Sequence, residues 1–394
     1  SWTTCGPEFG VENQGKKAIV VRALYGLKSA GAAFRNNLAM CMVDLGFESC
    51  KADPDVWMRA RVRDEDHFEY YEYVLIYVDD IMCISHDPKG TMDKIDHFFP
   101  MKPGSVAEPD LYLGAKISKV TLDNGVHAWA MSSSKYVQEA VRNVENWIVM
   151  NRPNFHLPTK VTAPIQRGYR PECDVSPELG PEDSSYYASI IGILRWAVEL
   201  GRFDITTEIS MLAAHLALPR EGHLMQAFHA FAYLKIRHSP RMAFDPTYPV
   251  VDEERFKEVD WSVQYGEIKE AMPPKMPQPR GKEVVLRCYV DSDHAGDVVT
   301  RCSRTGYLIF MNGAPIDWYS KKQGSVETST FGSEFVANKM AMEKNRGLRY
   351  KLRMMGVPIS GPTYGFGDNM SVIHNVTKPE STLKKKSNAI CYHA

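Results

Sequence analysis

Two adjacent carboxylates, Asp79 and Asp80, follow Tyr77-Val78 between two apolar stretches of the chain. Like charges so close repel, and burial penalises each one further. A divalent cation relieves both costs, because hard cations such as Mg²⁺ take oxygen ligands and bridge substrate phosphates. Two such ions about 4 Å apart can hold the attacking and leaving oxygens of a phosphoryl transfer. A solvated Asp-Asp hairpin turn is the plain alternative. Three further acids stand at telling places: Asp291 and Asp368 at the ends of expected strands, and Glu334 early in an expected helix. Any one of them is most simply a solvated residue. Asp293, two residues beyond Asp291, offers an alternative ligand, and the pair as a DxD motif would also suit an unrelated phosphatase-like α/β enzyme.

The elements that position these acids can be read from periodicity. Apolar residues recur at helical spacing between Ala23 and Leu45, after the Gly26 and Gly31 punctuation. Tyr70 to Tyr77 and Ile81 to Ser85 read as strands with Asp79-Asp80 at the bend. The middle of the chain, from about 120 to 280, reads as largely helical, with long apolar periodicities over Ser184 to Leu218 and His223 to Arg237. The stretch from Glu270 to Lys282 concentrates proline and charge and is the best linker candidate. Val284 to Val290 is an apolar strand, and Thr305 to Met311 with Ile316 to Ser320 makes a hairpin around Asn312-Gly313. A helix follows over Thr330 to Met355, then a short strand from Thr363 to Gly367 and a short helix.

The composition is that of a globular protein, with 44% apolar and 24% charged residues among 394. Two or three domains are expected at that length. The net charge of −1 shows no basic footprint of the kind that nucleic-acid enzymes carry, although a local groove can hide in a neutral sum. The 8 cysteines are scattered with no CxxC pair, which suits free thiols in a reducing, intracellular compartment (cytoplasm or nucleus). No apolar run approaches the roughly 18 residues of a membrane span, and no signal peptide opens the chain. Ser1 in place of Met suggests a processed product or an incomplete reading frame. His215, His223 and His229 have no acid or thiol at ligand spacing and read as packing or surface residues.

Tyr77-Val78-Asp79-Asp80 resembles the palm signature of reverse transcriptases in the form used by Ty1/copia-type retrotransposons. Ala23 to Ser29 resembles that family's YGLK motif, Gly46-Phe47 with Lys51 to Asp55 its GF and SKADP words, and Tyr112-Leu113-Gly114 its YLG strand. Downstream, Tyr289 to Gly296 resembles YSDADWAG with His294 in the tryptophan position. Trp318 to Gln323 resembles WKSKKQ, Ser329 to Phe335 resembles SSTEAEY, and Gly367-Asp368-Asn369 resembles CDN. Tyr186 to Trp196 and Arg202 to Ile205 resemble the stretch between polymerase and nuclease. The resemblance implies an α+β multidomain chain. Its parts would be a partial reverse-transcriptase palm over 1–119, a mainly helical thumb and connection over 120–280, and a ribonuclease H-like mixed sheet over 281–394.

The resemblance further implies that Asp79 and Asp80 are catalytic metal ligands of a polymerase, and Asp291, Glu334 and Asp368 those of a nuclease. Mg²⁺ or Mn²⁺ would be the cofactor. The partners would be an RNA–DNA hybrid, RNA template and DNA primer, with deoxynucleoside triphosphates where polymerisation survives, and no membrane. Gly26, Lys28, Leu113, Gly114, Lys321, Lys322, Lys384, Lys385 and Lys386 would contact nucleic acid, against a plain reading of the lysines as solvated. His393 could assist proton transfer or be a surface histidine. The family's third polymerase aspartate has no counterpart in residues 1 to 23, and Ala389 stands where a fourth nuclease acid would fall. A poor polymerase and a more plausible nuclease are therefore expected. The rival expectation is a non-catalytic relic, or a nucleic-acid-binding fragment, of a decayed transposable element.

Overall fold

The computed structural model describes residues 2–19, 30–78, 80–252, 254–256, 259–267 and 272–378. It is a mixed α and β structure whose chain divides into two compact units. The first holds residues 1–108 with two short returns, 278–281 and 354–356, and the second holds the rest.

The first unit runs β1 (Trp2–Thr4), β2 (Lys17–Ile19), α1 (Ala30–Asp44), β3 (Glu48–Ser49), β4 (Val56–Val62), β5 (Glu69–Tyr77), β6 (Asp80–Ile84) and α2 (Pro88–Phe98). β3 to β6 form one antiparallel sheet in chain order. Alternation along β5 turns Tyr70, Glu72 and Val74 inward, and Val74 pairs with Trp57 of β4 over a core shared with Met42, Phe47 and Ile95. Asp87 starts α2 by accepting from the Gly90 amide, with Pro88 at the first position.

Glu72 is a carboxylate on the buried face, only 1% exposed. Arg59 meets it at 2.6 Å, Thr91 donates to its other oxygen, and the same guanidinium donates to the Leu45 carbonyl and lies 4.3 Å over the Phe47 ring. Burial opposes the charge, but the hydrogen bonds from Thr91 and Arg59 overcome it and hold Glu72 below the usual carboxylate range. Its contribution is therefore complete above that range and is lost as pH falls through the depressed pKa. Arg59→Met should destabilise the first unit by about 3–5 kcal/mol, because it strands a buried charge. Adding Glu72→Leu should recover most of the loss. Hydrogen exchange of the β5 amides reads both effects locally.

The second unit begins with β7 (Leu111–Tyr112), β8 (Ala115–Thr121) and β9 (His127–Ser132), followed by α3 (Ser134–Asn151), α4 (Pro181–Glu199), α5 (Thr206–Ala213) and α6 (Glu221–Ile236). Next come β10 (Met242–Phe244), the single turn α7 (Ser262–Tyr265), β11 (Leu286–Asp293), β12 (Arg304–Met311), β13 (Ala314–Lys322), α8 (Thr330–Met354), β14 (Tyr364–Phe366) and α9 (Met370–Thr377). The middle of the chain is thus less helical than its periodicity suggests. β8 and β9 pair in an antiparallel sheet that β7 and β10 complete. The four helices α3 to α6 enclose the largest core, built on Val141, Ile148, Tyr187, Leu194, Leu212 and Phe228.

The apolar run from Ser184 to Leu218 predicts one helix, yet it breaks after α4. Gly201 takes φ of 93°, a left-handed conformation that suits glycine, and reverses the chain. The next residue, Arg202, is 1% exposed and pairs with Asp204 at 2.7 Å, while Tyr233 of α6 donates to the same carboxylate. That lock replaces the helical hydrogen bonds given up at the break. No described helix is long and apolar enough to cross a membrane.

Candidate metal centre

The second sheet of this unit has the order β13-β12-β11-β14, antiparallel except for the parallel pair β11–β14. Its hairpin turns at Asn312, whose φ of 54° fits the expected Asn-Gly turn. The parallel register pairs Tyr289 with Phe366. Asp291 and Asp368 each stand two residues further on, Asp291 still within β11 rather than at its expected end and Asp368 past the end of β14, so both acids lie toward the same end of the sheet. α8 packs its Ala341 against Cys288, Tyr307 and Ile309 on one sheet face, which brings Glu334 in its first turns to that end. Carboxylate oxygens of Asp291, Glu334 and Asp368 lie within 4.8 Å of one another.

The electrostatics follow from that closeness. Burial raises the pKa of Glu334, and the charges of Asp291 and Asp368 raise it further. Hydrogen bonds from Ser292 oppose the rise. The Ser292 amide donates to Asp291 Oδ1 at 2.9 Å and to Glu334 Oε1 at 3.3 Å, so a single N–H binds both carboxylates. Three oxygen-bearing acids with too few donors between them suit a hard divalent cation, and this cluster could hold one.

Asp293 does not join the three. It lies opposite Arg304 in the strand register, and its carboxylate folds over Gly296, where a Cβ would stand 1.7 Å from Oδ2. Asp291 and Asp293 border a cavity of about 200 Å³ that runs under α5, with Arg304, Ser320, Lys322 and His215 in its wall. Lys322 is paired with Asp297 at 3.0 Å, whereas Lys321 is exposed at the end of β13. The His215 and His223 rings stack 4.3 Å apart. His223 accepts from the Arg220 amide and donates to the Pro171 carbonyl, which commits both of its nitrogens to packing.

Asp80 is exposed at the start of β6, where it pairs with Tyr77 across a two-residue turn. Val78 in that turn has φ of 55°, an unfavourable conformation for a β-branched residue. Among the described residues no group of three candidate ligands includes Asp80. Leu113 and Gly114, expected within a strand, instead form the two-residue turn between β7 and β8, with φ of 50° and 85°. Asp79, Gly26, Lys28, Lys384, Lys385, Lys386 and His393 lie outside the described residues.

Gln323, Thr305 and Ser333, to which the sequence assigns no role, are buried and hydrogen-bonded to one another beside Glu334.

The chain is 24% identical over 375 residues to the retrovirus-related Pol polyprotein from transposon RE1 of Arabidopsis thaliana, covering 94% of this chain and 22% of that protein. It is 25% identical over 339 residues to the corresponding polyprotein from transposon TNT 1-94 of Nicotiana tabacum, covering 83% of this chain and 21% of that one. The chain is a homologue of transposon Pol polyproteins. It spans about a fifth of the length of these polyproteins. A transposon Ty5-1 protein of Saccharomyces cerevisiae is 23% identical over 325 residues, covering 81% of this chain and 87% of that protein. No family model and no solved structure matches this Pol homologue.

A carboxyl whose pKa is raised by folding costs stability as pH climbs through that pKa, because the charged form is the strained one. Asp291→Asn removes one repelling charge. At pH 7 it should raise the melting temperature of the second unit by about 1–3 °C. Millimolar Mg²⁺ should stabilise the parent chain and leave this variant unmoved. Differential scanning calorimetry with and without chelator checks both expectations.

Proposed function

We propose that this chain is the reverse-transcriptase and ribonuclease H portion of a retrotransposon Pol polyprotein, and that its second unit cleaves the RNA strand of RNA–DNA hybrids. The observation that carries the proposal is the convergence of Asp291, Glu334 and Asp368 at one sheet end in a homologue of transposon Pol polyproteins. In this reading the first unit is a palm remnant bearing Tyr77-Val78-Asp79-Asp80. With β7 and most of β8 that remnant runs over residues 1–119, residues 120–280 are the thumb and connection, and residues 281–394 are the nuclease.

Mg²⁺ or Mn²⁺, when bound by the three carboxylates, supplies an acidified water and charge for the leaving oxygen. The chain's own residues do the rest. The Ser292 amide orients the Asp291 and Glu334 oxygens. Burial and the charges of Asp291 and Asp368 push the Glu334 carboxyl above its usual range, which favours proton uptake at that side chain. Exposed Lys321, on β13 with β12 between it and the Asp291 strand, meets the duplex backbone, so recognition rests on phosphates and helix shape more than on base identity.

The purified chain should cut a labelled RNA–DNA hybrid in Mg²⁺ and leave the matching DNA duplex intact. Asp291→Asn, Glu334→Gln and Asp368→Asn should each lower the rate by at least about 100-fold, the loss expected when a group acting on the reacting atoms is removed. A folded parent chain that binds the hybrid without cutting it would instead mark the protein as a non-catalytic relic.

A further inference from the structure

Gln323 directly follows β13 and is buried, as are Thr305 of β12 and Ser333 of α8. Its Nε2 donates to Thr305 Oγ1 and to the Ser333 carbonyl oxygen, each at 3.0 Å. Its backbone amide donates to the Ser303 carbonyl at 2.8 Å, so the side chain starts from a fixed point on the sheet. Thr305 lies opposite Ser292 in the strand register. Ser292 is the residue whose amide reaches both Asp291 and Glu334. Ser333 immediately precedes Glu334.

Ser333 is also held through its hydroxyl. The hydroxyl proton goes to the Thr330 carbonyl at 3.0 Å. The 3.2 Å contact between Ser333 Oγ and His294 Nδ1 then requires the imidazole to donate, with its proton on Nδ1. The residue next to Glu334 is thus tied to β12 through Gln323 and to the segment after β11 through His294.

We propose that Gln323 is a positioning residue for the metal centre: its amide fixes the first turns of α8 to β12 and so sets the Glu334 carboxylate within reach of Asp291 and Asp368. This inference rests on the reading of the three acids as a metal site. An amide suits the task because its one nitrogen carries two N–H groups, which serve two acceptors on different elements. Glutamate at this position offers neither donor when ionised, and methionine of similar length offers none at all. Partners of this outer kind, which orient ligands without touching the ion, commonly set metal affinity by about 10–100-fold.

The test is Mn²⁺ binding by isothermal titration calorimetry on the full chain, comparing the parent with Gln323→Met and Glu334→Gln. Gln323→Met should bind Mn²⁺ about tenfold more weakly or worse. Its hybrid cleavage should recover as Mn²⁺ is raised to saturation, which a collapsed fold would not allow. Affinity equal to the parent's in Gln323→Met, beside a loss in Glu334→Gln, would overturn the positioning role and leave the metal site standing. Should Glu334→Gln match the parent, whether both bind or neither does, the metal site itself is refuted and this inference with it. If circular dichroism shows Gln323→Met unfolded, Thr305→Val takes its place, since it removes the acceptor of one bond. A smaller weakening in the same direction supports the role, and unchanged affinity overturns it.

Discussion

Three carboxylates brought within 4.8 Å of one another repel, and the surrounding architecture has to supply the force that keeps them there. The restraint comes from the β11–β14 pairing, from the packing of α8 on the sheet and from the single amide of Ser292 that serves two acids. Folding energy stored in that apolar face is spent on holding charge in an unfavourable arrangement, which is how active sites commonly trade stability for chemistry.

The first unit treats a buried acid in the opposite way. Glu72 is enclosed, but every one of its strong interactions is with a donor, so its charge is satisfied and its pKa falls. Glu334 is partly enclosed among like charges, and its pKa rises. Burial pushes both groups upward, so the difference lies in the neighbours. A satisfied buried acid serves the fold, whereas a frustrated one has capacity left for a ligand or a proton.

Much of this arrangement was legible in the residues. The alternation of β5, the Asn-Gly turn between β12 and β13 and the length of α8 all follow from local pattern, because each element satisfies its own period. The three acids were marked by their places at strand ends and early in a helix. What pattern could not supply were the interruptions. Gly201 breaks an apolar run that looks continuous, because the Arg202–Asp204–Tyr233 lock needs a partner from α6 that no local window contains. Leu113-Gly114 is expected in a strand from its resemblance to the YLG motif but turns, with both residues at positive φ. Gln323 was invisible for a similar reason: its meaning lies in Thr305 and Ser333, which only the folded chain sets beside it.

The parallel partnership of β11 and β14 has a consequence for timing. Antiparallel neighbours such as β11 and β12 can zip together soon after they emerge from the ribosome, whereas a parallel mate needs a long crossover and arrives late. Here the crossover carries β12, β13 and all of α8 before Asp368 is delivered. A nascent chain therefore holds two of its three acids well before the last one docks. The cluster of three acids is therefore complete only once synthesis has passed Asp368.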